Sequence, residues 1–154
     1  QSSKAVELGL NNAPTDAAAA NLELLVENVL DPLAAEGLSF QVTNGYRSDA
    51  VNKAVGGTDG SNHTTGLAAD LVFDGDAATS PQSRVRLFEE TITDITRDIG
   101  EMIIYENTNH IHLVYKAGGP QKRLLQIGPP GNYVSWEEAP SSSKYDAFRT
   151  LGKE

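Results

Sequence analysis

With 154 residues the chain is the size of one domain, enough to bury roughly 70% of its unfolded surface around a single core. It has no cysteine, which excludes disulfides and thiolate metal ligands, so a transition-metal site has to be built from imidazole and carboxylate. A formal charge of −9 and a pI near 4.7 exclude broad binding to a phosphate backbone, and nucleic acid is not an expected partner.

No stretch approaches the roughly 20 apolar residues of a membrane span, and no basic region followed by an apolar run marks a signal peptide. The chain starts at Gln1 rather than Met, which reads as a processed or trimmed product and leaves localisation open.

In chain order, Thr15-Asp16 offers an N-cap ahead of Leu22, Leu25, Val26, Val29 and Leu33, whose spacing predicts a long helix with one buried face. Pro32 removes a backbone donor inside that helix, so a kink or short break is expected there, and Gly37 ends it. Phe40, Val42 and Asn44 alternate with polar residues as a strand, and Ser48 caps a helical turn. Gly56 to Ser61 is too rich in glycine for a regular element and reads as a loop leading into His63.

A strand over Leu67 to Phe73 follows. Ser80-Pro81 then opens a helix with apolar positions Val85, Phe88, Ile92, Ile95 and Ile99, ended by Gly100. Met102 to Tyr105 and Ile111 to Tyr115 form a hairpin joined by the polar turn Glu106-Asn107-Thr108-Asn109. Residues 116–154 shift toward Gly, Pro and Ser and read as an extension, with one strand at Arg123 to Ile127 and a spacer at Ser141–Ser143. Tyr133, Trp136, Tyr145 and Phe148 are its candidates for docking onto a body or a partner.

All three histidines fall in two short segments, His63 in one and His110 and His112 in the other. His110 and His112 are two apart in an apolar run and share a strand face, where one binds a metal and the other lines the pocket. Asp70 lies on the otherwise apolar inner face of its strand, a costly position unless a cation compensates it. His63, Asp70 and one of the later pair supply the three nitrogen and oxygen ligands of an open, catalytic zinc site.

The segment Ser61-x-His63-x-x-Gly66-x-Ala68-x-Asp70 is preceded by Gly45-Tyr46-Arg47-Ser48 and by Asn52 to Gly57, and followed by His110-x-His112. From about Lys4 to Tyr115 this order and spacing resembles the D-alanyl-D-alanine carboxypeptidase group of zinc peptidases, family M15, and is most like its compact phage and bacterial branch.

The resemblance implies an α+β fold of the hedgehog and DD-peptidase type, a small antiparallel sheet with flanking helices, as a domain over 1–115. It implies Zn2+ bound by His63, Asp70 and His112, with Arg47 and Ser61 contacting substrate. Many relatives carry an acidic general base three residues before the last histidine, where this chain has Asn109. Glu106 is the expected replacement base, with His110 as transition-state stabiliser.

The implied activity is hydrolysis of a peptidoglycan stem peptide, as a D,D-carboxypeptidase or an endopeptidase, by a lysin or a virion-associated protein acting at the bacterial cell wall. An acidic chain gains little from long-range attraction to an anionic wall, so recognition falls to local groups such as Arg47. The extension would attach the domain to other phage structural proteins. The competing expectation is a module of the same fold that has lost catalysis and binds the wall or serves as structure.

Overall fold

A computed structural model describes residues 2–75, 80, 83, 98–119 and 122–153. Helix α1 (Ser3–Leu8) comes first. Then α2 (Asp16–Leu25) runs through a π-helical turn (Val26–Leu30) into α3 (Asp31–Ala35). The Thr15 side chain accepts from Ala18 N, capping α2 as expected. The break anticipated at Pro32 takes the form of that widened turn, which leaves Pro32 in the first turn of α3, where a missing N–H costs least. Gly37 follows at φ +82°.

Strand β1 (Phe40–Asn44), helix α4 (Asp49–Ala54) and strand β2 (Ala68–Phe73) precede the hairpin of β3 (Ile99–Tyr105) and β4 (His110–Tyr115). Ser48 caps α4 by accepting from Val51 N. The helix expected after Ser80-Pro81 lies almost wholly outside the described residues. Its last two assigned positions, Ile99 and Gly100, are strand: Ile99 pairs with Tyr115 and is fully buried. Helical spacing of isoleucines here ran into a β-branched run, and pairing with β4 decides the conformation.

The sheet has the order β1-β2-β4-β3-β5-β6, with β5 (Lys122–Gln126) and β6 (Tyr133–Ser135) contributed by residues beyond 115. All neighbours are antiparallel except β3 and β5, which are parallel. One sheet face packs on Leu25, Val29 and Leu33 of the helices and on Trp136, Tyr145 and Phe148, and these side chains belong to one continuous core. The aromatics that the sequence marked for docking therefore dock on this chain's own sheet, apart from Tyr133, which is 45% exposed. The serine-rich spacer is a 3₁₀ turn (Ser143–Tyr145) capped by Ser142, leading into α5 (Asp146–Gly152).

Candidate metal centre

The second face of the sheet carries the polar residues. Asp70 of β2 and His112 of β4 are direct cross-strand partners, so period-two alternation places both side chains on the face away from the helices. His63 reaches them from the loop before β2. That loop is pinned by Asn52, whose Nδ2 donates to Thr58 O, and by Asn21, whose Nδ2 donates to Thr65 O. Gly66 turns the chain into β2 at φ +79°, and a Cβ there would sit 2.3 Å from Ala18 O, so no other residue fits.

His63 Nδ1 lies 2.8 Å from Gly45 O. A carbonyl only accepts, so Nδ1 holds the proton and the lone pair of Nε2 points toward Asp70 Oδ2, 3.4 Å away. His112 Nδ1 meets Asp70 Oδ1 at 2.8 Å, and the two imidazoles stand edge to face at 5.0 Å. The three residues are buried, and one ligand atom from each lies within 4.8 Å of the others. Burial alone pushes the Asp70 carboxyl up. The hydrogen bonds and charge of His112 and His63 outweigh it and hold the group well below the ordinary carboxylate range.

A lone buried carboxylate between two imidazoles, one with its far nitrogen already fixed by a carbonyl, fits a divalent metal of nitrogen and oxygen preference. His112 rather than His110 is the histidine in the cluster. His110, its partner on the same strand face, instead stacks on Tyr105 at 4.2 Å and bonds Thr108 Oγ1.

The cluster opens onto a cavity of about 600 Å³. Arg47 and Ser61 line it. Arg47 N donates to His63 O, and the loop 46–48 is held by Asn12, which accepts from Ser48 N. The Nε of Arg47 is buried and has no hydrogen-bond partner among the described residues.

The acid–base pair expected from sequence is not brought to this cavity. The Glu106 carboxylate accepts from Gly128 N, Lys144 Nζ and the Tyr145 hydroxyl, all from beyond residue 115. Bonds from Lys144 first and Tyr145 second lower its pKa. The reason is positional: Tyr105, the last residue of β3, lines the cavity, and Glu106, the first residue of the turn, follows it on the opposite side, toward Lys144 and Tyr145. Neither Glu106 nor His110 is a lining residue. Glu101, four residues before Tyr105 on β3 and so on the same face, does line the cavity and stands 3.9 Å from His112 Nε2. Strand parity could have singled it out once β3 was known to begin at Ile99 instead of Met102.

The peptidase M15 family matches residues 1–114, three quarters of the chain and every residue of the cluster. The chain belongs to peptidase family M15. Membership supports a metallopeptidase, and the buried His63–Asp70–His112 group is where this M15 chain can hold a metal. No curated protein matches the chain.

Proposed function

We propose that this M15 protein is a zinc-dependent hydrolase of peptidoglycan stem peptides, a D,D-carboxypeptidase or an endopeptidase acting at the bacterial cell wall as a lysin or virion-associated enzyme. The observation that carries the reading is the buried His63–Asp70–His112 cluster at the base of a cavity that Arg47 and Ser61 line. Three protein ligands leave the open position of a catalytic site.

Zinc bound there supplies a polarised scissile carbonyl and a water of lowered pKa. Arg47 offers a planar, permanently charged fork to a peptide carboxylate or carbonyl, and Ser61 a hydroxyl to the backbone beside it. Gly45 fixes the His63 tautomer, and burial of the cluster limits competing water. For the base, geometry favours Glu101, the carboxylate outside the ligand set that lines the cavity. Glu106 would have to leave Lys144 and Tyr145 to serve.

That engagement of Glu106, with Asn109 at the other acidic position of the family, favours a second reading: a metal-holding module without turnover that binds the wall or belongs to a phage particle. Purified protein is to be tested for zinc content and for release of peptides from purified peptidoglycan, followed by product mass. Cleavage lost in Glu101→Gln with zinc retained supports the enzyme with Glu101 as base. The same loss in Glu106→Gln alone returns the role to Glu106. Stoichiometric zinc with no cleavage of walls of several bacterial types supports the module.

A further inference from the structure

The far wall of the cavity is not made by the part of the chain that defines the family. Lys122, Leu124 and Tyr133 line it, all beyond the matched residues 1–114. Their placement follows from the parallel pairing of β5 with β3, which sets Glu101 beside Lys122 and Ile103 beside Leu124. Since Ile103 is in turn the partner of His112, a straight row crosses the sheet from Asp70 through His112 and Ile103 to Leu124.

Adjacent strands are roughly 4.8 Å apart, so Ile103 and Leu124 form an apolar floor running from about 5 to about 10 Å beyond the metal-ligand row. An extended peptide advances roughly 3.3 Å per residue, so the residue two or three places from a bond held at the cluster lies over that floor. Polar pairs border it. Lys122 Nζ and Glu101 Oε2 are 3.6 Å apart on one side, and Tyr105 and Tyr133 line the other. The turn joining β5 to β6 is held in place by the buried Gln126, whose Nε2 donates to Gly128 O and Pro129 O.

We infer that the β5–β6 hairpin is the specificity wall of this active site, forming with Ile103 a subsite for an uncharged aliphatic side chain on a substrate residue two or three places from the scissile bond. The inference rests on the metallopeptidase reading above and gives the extension a part in the site itself. A charged side chain entering the slot loses water and meets charges already paired with each other, whereas each methylene gains from the floor.

The probes are acetohydroxamate, hexanohydroxamate and succinyl monohydroxamate, a zinc-chelating head with no tail, an aliphatic tail and a carboxylate tail. Their binding to the full zinc-loaded chain is measured by calorimetry. With roughly 0.8 kcal/mol for each buried methylene, hexanohydroxamate should bind at least about tenfold tighter than acetohydroxamate, and the succinyl compound no tighter than acetohydroxamate. Leu124→Asn and, separately, the exposed Tyr133→Ala should shrink the tenfold gain to under about threefold while leaving acetohydroxamate within about twofold of the parent protein. Equal binding of the short and long aliphatic probes, or a gain that survives both substitutions, would overturn the subsite. Failure of acetohydroxamate itself to bind would bring down the metal reading beneath it.

Discussion

The stretch up to residue 115 and the stretch beyond it contribute differently to the same site. The first supplies all three metal-ligand candidates together with Arg47 and Ser61, and the second supplies the facing wall and the partners of Glu106. Their sequences also differ in kind, one patterned and capped, the other rich in Gly, Pro and Ser. Yet Trp136 and Phe148 are as buried as any residue of the first stretch, and Trp136 Nε1 donates to Leu124 O. Low periodicity in a tail therefore says little about whether it folds when a strand of the body is waiting for a partner.

Removing the second stretch should have the largest effect. A chain ending at Lys116 loses the core contributions of Leu125, Trp136, Tyr145 and Phe148, each on the order of 2 kcal/mol, against a net stability of about 5–15 kcal/mol for a whole domain. It should show no cooperative thermal transition by circular dichroism. A sharp transition near that of the full chain would establish 116–154 as an appendage.

Within the first stretch, Gly66→Ala tests how tightly the His63 loop is held to α2. The substitution forces a Cβ against Ala18 O in a left-handed backbone, and a loss of about 2–4 kcal/mol in urea unfolding is expected. A loss under about 0.5 kcal/mol would mean that the loop is not seated there.

At the contact between the two stretches, Glu106→Gln should cost about 1–2 kcal/mol at pH 7. Because Lys144 and Tyr145 lower the folded-state pKa of Glu106, its contribution is present above the ordinary carboxylate value of about 4.3 and is lost as pH falls through the lower folded value. Stability curves of parent and variant should thus converge in acid. Parallel curves across that range would show that the ion pair contributes nothing.

The legible parts of this chain are those with local chemistry. Thr15 and Ser48 cap helices as their residue types require, and His63, Asp70 and His112 meet because strand alternation and one tight turn bring them to the same face. Arg47 and Ser61, which the family resemblance implies as substrate contacts, line the cavity beside them. What was hidden depends on pairing between distant strands. Nothing local announces that β5 lies parallel beside β3, so neither the place of Lys122 and Leu124 in the cavity lining nor the turning of Glu106 toward Lys144 is visible in the sequence. Glu101 was missed because Ile99 and Gly100 fitted the end of a helix as well as the start of a strand.

The central claim is that the buried His63–Asp70–His112 group is a zinc site, and its most direct test is a competition titration of zinc against a chromophoric chelator with the parent chain and Asp70→Asn. One zinc per chain is expected, with an affinity at least about 100-fold weaker in the variant, whose neutral amide is a poor ligand between two imidazoles. Equal affinity in the two proteins, or no stoichiometric zinc in the parent, would contradict it.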